Sequence, residues 1–266
     1  MRILYPFIAS ILFVSIFSSC EKRIDLDLDE AQQMYVVEAV VHDSLGDNFV
    51  ILSKTKPYND NSSGNIMLSG ANVRITDSQN NTFNLYETAT GYYTDSTFQG
   101  ISNRDYYLTV TVEGRTFTAK SHLFPRVEID SLSREETEEL FWADPNIPEY
   151  QVNCHFTEPV GLGDFYRMKA YVFGEQEDGF IAFNDDYFDG LSTYLPLFDL
   201  VFYEGDSVAV QLLTVDENNY RYFNALYYSQ GGFVPGNPET NIVGDNVVGY
   251  FGAYAKSEES IIVIPE

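Results

Sequence analysis

Tyr106-Tyr107-Leu108-Thr109-Val110-Thr111-Val112, then Glu113-Gly114, then Arg115-Thr116-Phe117-Thr118-Ala119-Lys120-Ser121 is the stretch that decides the fold class of this 266-residue chain. Tyr106, Leu108, Val110 and Val112 alternate with Tyr107, Thr109 and Thr111, the period of two that gives a strand one apolar face. Glu113-Gly114 between the two runs is a hairpin turn signal. Reading toward the N-terminus, Gly91-Tyr92-Tyr93-Thr94, the alternating Phe83 and Leu85, and the alternating Val73 and Ile75 each make a further short strand. The last of these ends at Asp77-Ser78-Gln79-Asn80-Asn81, and Phe49 to Lys54 and Tyr35 to His42 precede it, joined around Ser44-Leu45-Gly46-Asp47. About seven short strands in about ninety residues suit an immunoglobulin-like β-sandwich, expected over residues 34–125.

Leu123-Phe124-Pro125 closes that module, and residues 126–266 read as a second β-rich domain. Val127 to Ser131 leads into an acidic helix candidate, Arg134 to Leu140, followed by a loop at Trp142-Ala143-Asp144-Pro145. Strands follow at Val152 to Thr157, Phe165 to Phe173 and Ser207 to Val215. Asp216 can cap a helix near 217–229, whose Tyr220, Phe223 and Tyr227 recur at helical spacing and suit packing against a sheet. Val247 to Tyr254 and Ser260 to Ile264 supply the final strands. The expected class is therefore all-β: an immunoglobulin-like sandwich, then a β-rich domain with one or two short helices.

The N-terminus carries a different signal. Arg2 begins a mostly apolar run from Ile3 to Phe17 that is short for a transmembrane span and ends at Ser18-Ser19-Cys20. Residues 1–19 read as a signal peptide and Cys20 as the lipid-attachment site of a bacterial lipoprotein, with residues 20–33 a charged tether. Stable anchoring takes more than one acyl chain, and lipoproteins of this kind carry several, palmitate among them, at this cysteine. Acylation of Cys20 leaves Cys154 without a disulfide partner. Val152, Cys154 and Phe156 share one strand face, so Cys154 is expected to be a small buried hydrophobe. With 40 acidic against 15 basic residues and a net charge of −25, the chain is a poor match for nucleic acid or an anionic bilayer surface. The lipid has to supply membrane attachment.

Chemistry-bearing motifs are scarce. His42, His122 and His155 lie in separate strand-like segments and are expected to be satisfied structural histidines. No His-Glu-x-x-His or Gly-x-Ser-x-Gly pattern occurs, and Gly161-Leu162-Gly163 lacks the rest of a dinucleotide fingerprint. Asp178, Asp185, Asp186 and Asp189 are the candidate cation ligands, because calcium wants several oxygen donors. A calcium loop begun at Asp185 fails, since Tyr187 falls at its third position and Pro196 where a bidentate Glu is needed. A solvated turn with Gly190 at a special backbone angle is the expectation, with no metal and no cofactor. Tyr187, Phe188 and Tyr194 are candidates for an aromatic platform. Phe233 and Val234, within Gly231-Gly232-Phe233-Val234-Pro235-Gly236-Asn237-Pro238, stand among residues that build no regular structure and are the first candidates for contact with a partner.

Several blocks together carry a resemblance: Ala71-Asn72-Val73-Arg74-Ile75-Thr76-Asp77, Gly91-Tyr92-Tyr93, Tyr106 to Val110, and Ile129-Asp130-Ser131-Leu132. Asp185 to Gly190, Gly205-Asp206-Ser207-Val208, Asn241 to Asp245 and Gly249 to Tyr254 continue it. In this order they resemble a Bacteroidota outer-membrane lipoprotein family catalogued as a domain of unknown function, DUF 4249. The resemblance covers nearly all of the chain after Cys20 and brings no catalytic residues. It implies a non-enzymatic lipoprotein encoded beside a TonB-dependent receptor and serving as an accessory or binding subunit of that transporter. The acidic stretch after Cys20 resembles an address to the outer membrane's cell surface in preference to its periplasmic face. The alternatives are a stand-alone carbohydrate- or peptide-binding adhesion module and, last, a carboxylate-dependent hydrolase.

Overall fold

A computed structural model describes residues 33–57, 64–137, 148–177, 181–197, 200–230 and 238–264. The leader, Cys20, Asp178, Phe233, Val234 and the Trp142 loop lie outside the described residues. Residues 33–266 group as one compact unit.

The first eight strands are β1 (Tyr35–His42), β2 (Phe49–Lys54), β3 (Ile66–Met67), β4 (Asn72–Asp77), β5 (Thr82–Ala89), β6 (Tyr92–Thr94), β7 (Arg104–Val112) and β8 (Arg115–Leu123). The β7–β8 hairpin forms in the register implied by its alternation, with Val112 opposite Arg115 and Tyr106 opposite Ser121. Glu113 and Gly114 both take positive φ, 50° and 74°, the mirror-image turn whose twist matches the flanking strands. β5 pairs with β4 through Phe83 to Leu85 and with β6 through Tyr86 to Ala89, where the register shifts at a bulge. It thus passes from one layer to the other, as strands do at sandwich corners. Val37, Val50, Leu52 and Tyr93 from one layer meet Ile75, Leu108, Val110 and Phe117 from the other in a single buried core.

The second half contains β9 (Ile129–Glu136), β10 (Tyr150–Thr157), β11 (Phe165–Val172), β12 (Glu175–Gln176), β13 (Ile181–Asn184), β14 (Ser192–Pro196), β15 (Ser207–Val215), α1 (Glu217–Gln230) and β16 (Val247–Ile262). β14, β10 and β9 form a three-stranded sheet. Its Val152, Cys154 and Phe156 pack against Tyr166, Met168, Val208, Val210 and Leu212 of β11 and β15. The helix expected from Arg134 is corrected: Arg134, Glu135 and Glu136 pair with Val152, Gln151 and Tyr150 as β9. Partners from β10 override the helical preference of Arg and Glu.

β16 joins the two halves. Its first eight residues, Val247 to Tyr254, run parallel to the whole of β1, and Ala255 to Ile262 run antiparallel to β15. The last strand therefore crosses the boundary expected near Pro125, completing the first sandwich while building the second. Gly249 makes the parallel approach possible, because a Cβ there would lie 2.1 Å from the Val37 carbonyl oxygen. The opposite edge of the first sandwich closes nearby, where Thr118 and Val243 exchange backbone bonds of 3.0 and 2.7 Å.

α1 lies on the outer face of this sheet. Asp216 caps it as expected, its Oδ1 accepting the Asn219 N–H at 2.9 Å. Asp216 Oδ2 accepts from the Ser121 hydroxyl, whose oxygen in turn accepts the Ala253 N–H, so one carboxylate ties the helix start to β8 and β16. Phe223 is buried and Tyr220 packs beside it, while Tyr227 faces solvent and Tyr222 and Leu226 complete the contact.

Candidate functional site: a carboxylate clamp under an apolar tip

Two loops at one end of the second sandwich, one leaving β10 at Glu158 and one leaving β13 at Asp185, are cross-tied by carboxylates. The Glu158 and Asp185 side chains are buried, at 2% and 1% exposed. Glu158 Oε1 accepts from the Tyr166 hydroxyl at 3.0 Å and its Oε2 from the Gly190 N–H at 2.6 Å. Asp185 accepts the Gly163 N–H at 2.9 Å, and Asp189 accepts the Gly161 N–H at 2.6 Å. Each loop thus donates backbone N–H groups to carboxylates of the other, a reciprocal arrangement of charge-assisted bonds. The glycines matter here as donors on an open turn that can come close to a carboxylate.

Oxygens of Glu158, Asp185 and Asp189 lie within 4.8 Å of one another, so these three are the residues that could hold a hard cation. In this geometry glycine N–H groups already share the negative charge. Asp164, at the end of the first loop, adds a fourth carboxyl. Burial, then repulsion from Glu158 and Asp185, raises its pKa to about 6.

The sequence candidates separate. Asp185 and Asp189 enter the clamp. Asp186 does not, since it faces solvent and accepts from the Asn184 side chain at 2.7 Å. The solvated turn expected at 185–190 is half right: Gly190 takes φ 69°, but Asp185 is interior. Phe188 turns inward, its ring edge-on to Phe156 at 5.9 Å, while Tyr187 points out and is 92% exposed. Val160 and Leu162, on the facing loop, are 89% and 72% exposed. Tyr194 is exposed and leans on His155 at 5.3 Å. The clamp therefore presents three apolar side chains on braced loops. Glu158, Asp164, Val160 and Leu162 were missed by sequence reasoning; the one signal that could have found them is the Glu158-Pro159-x-Gly161-x-Gly163-Asp164 pattern, acids bracketing two glycines.

The other reactive groups are quiet. Cys154 sits in the second core, where burial pushes its thiol up to about 12. His155 bonds the Ser133 hydroxyl at 2.7 Å and His122 the Asp105 carboxylate at 2.7 Å. His42 departs from expectation, because its buried Nδ1 has no hydrogen-bond partner among the described residues. Among those residues no helix is long and apolar enough to cross a membrane.

No curated protein matches the sequence. Among solved structures, a two-domain fibronectin type-III segment from chicken tenascin is similar at 12% identity over 68% of this chain and 89% of that one. Its TM-score is 0.23, which carries no argument here. A family model described as a domain of unknown function, DUF4249, matches residues 21–260, and the chain belongs to that family.

Proposed function

We propose that this protein is a non-enzymatic, lipid-anchored binding subunit that docks onto a TonB-dependent outer-membrane transporter through the Val160, Leu162 and Tyr187 tip. The observation that carries the reading is the exposure of these three apolar side chains on loops that four charge-assisted bonds hold in place. Large apolar groups on an ordered surface mark contact sites, and a braced loop loses little freedom on binding. The anchor at Cys20 would keep the tip at the membrane, where a barrel protein is the available partner. The Glu158, Asp185 and Asp189 carboxylates are used in bracing, which favours assembly over hydrolysis.

A second reading, carbohydrate binding by a stand-alone module, is favoured by a separate feature. An open groove of about 550 Å³ is lined by Tyr107, Thr109, Lys120, Asn218, Asn241 and Val243, an aromatic side chain among hydroxyl, amide and ammonium groups.

Gentle detergent extraction of the full chain followed by affinity purification tests the first reading. A stoichiometric barrel protein is expected with the native sequence and is expected to be lost in the double variant Leu162→Asp, Tyr187→Asp. Recovery of the barrel with the double variant, or of none with the native chain, would overturn it. In the same extracts Cys20→Ser is expected to leave the membrane fraction.

A further inference from the structure

In a chain where acidic residues outnumber basic ones 40 to 15, three cations and a histidine meet on the outer face of the large sheet. The register places them together. Arg167 of β11 lies opposite Leu213 of β15, which lies opposite Lys256 of β16. Lys169 is two residues along from Arg167 on the same strand face, opposite Gln211. His42 ends β1 opposite Tyr254, two residues before Lys256 on β16. All four side chains share the face that carries α1.

The surroundings are dry and poorly countered. Arg167 is buried with its guanidinium 3.6 Å from the Phe223 ring centre, held flat beneath the helix. Lys169 is half-buried and makes no ion pair or hydrogen bond with any described residue. Lys256 reaches Asp47 at 3.1 Å. His42 is 8% exposed, touches the Tyr254 ring edge-on at 5.6 Å, and keeps Nδ1 unpartnered. Other nearby acids are spent elsewhere: Asp43 binds Arg126 and the Lys256 N–H, and Glu258 accepts from Gln211 at 2.6 Å. Removing cations from water without a counter-charge is costly, so such a cluster persists where an anion can complete it.

We propose that His42, Arg167, Lys169 and Lys256 form a binding site for an oxyanion of the phosphate or carboxylate class. Lys169 and Lys256 supply charge, Arg167 is fixed by Phe223, and the neutral His42 ring offers a hydrogen bond from Nδ1. The acid–base state of the residues agrees with the geometry. Burial, then Arg167 and Lys256, lowers Lys169 to about 8. Burial, then Lys169 and Lys256, lowers His42 to about 4.

Calorimetric titration of the full chain in detergent at pH 7 and low ionic strength tests this, with sodium phosphate in one arm, sodium citrate in the other, and sodium chloride of matched ionic strength as blank. Saturable heat in either arm or both is expected, the responding arm naming the group preferred. Lys169→Met should weaken binding at least tenfold and His42→Phe several-fold. Without anion, Lys169→Met should melt no lower than the native chain, because it removes a repelled, half-buried charge. Lys120→Met, far from the site and paired with Asp105, should bind as the native chain does. No saturable heat in either arm, or a Lys169→Met variant that binds undiminished, would overturn the proposal.

Discussion

Replacing Gly249 with Ala tests how β1 and β16 are held. Gly249 has φ 111°, a conformation that costs an alanine roughly 1–3 kcal/mol. Its Cβ would also stand 2.1 Å from the Val37 carbonyl oxygen and 2.8 Å from the carbonyl carbon, contacts that only a shift of backbone can relieve. Moving β1 off β16 strains the ladder that runs from Tyr35–Val247 to His42–Tyr254, and one or two weakened bonds add about 1–3 kcal/mol. The sum is about 3–5 kcal/mol, a large part of the stability of an ordinary domain. Gly205→Ala is the control, since Gly205 also has positive φ, 94°, yet a Cβ there would meet nothing within 4 Å. Urea unfolding followed by far-UV circular dichroism should put the Gly249→Ala midpoint roughly 1 M or more below native, for a slope of about 3 kcal/mol per molar. Gly205→Ala should fall much less. If the two variants unfold within about 1 kcal/mol of each other, steric contact with Val37 is not what selects glycine, and the reasoning fails.

Three further outcomes follow from the same geometry. Asp164 holds a proton in the folded state up to about pH 6 that the unfolded chain releases near 3.8, so its contribution to stability is full below pH 4 and lost as pH rises through 6. Melting curves of Asp164→Asn should gain on the native protein between pH 4 and pH 7; a flat or falling difference would contradict the assignment. Asp216→Ala removes the cap of α1 and strands the buried Ser121 hydroxyl, so urea unfolding should show a loss of about 2–4 kcal/mol, and a loss below about 1 kcal/mol would refute the linking role. Cys154 should resist alkylation in the native chain and react only in denaturant, read by mass spectrometry of its peptide; rapid native labelling would contradict its burial.

What the sequence disclosed depended on how local the signal was. The β7–β8 hairpin was legible because alternation and a Glu-Gly turn sit within twenty residues or so of one another, and the Asp216 cap because its partner, Asn219, is three residues away. β16 was less so. Lys256-Ser257-Glu258-Glu259 looks like a break between two strands, yet it pairs with Leu212, Leu213, Gln211 and Val210 without interruption. Its polar side chains are tolerated because that stretch lies toward solvent while Val263 beyond it returns to the core. The Arg134 segment misled because propensity favours helix where a neighbouring strand decides otherwise. The clamp needed Glu158 beside Asp189, and the oxyanion site needed His42 beside Lys169 and Lys256. Such meetings are made by strand order, which no window of sequence contains.

The parallel partnership of β1 and β16 also sets an order of events. Asn246 bonds the backbone of Gln33 across 213 positions, so the first strand made has to wait for nearly the last one before its sheet is complete. Closing so long a loop is slow, and contacts of such sequence separation retard folding. For a polypeptide threaded through a narrow secretion channel, that delay is an advantage: the N-terminal sandwich cannot lock while its final strand is still on the other side.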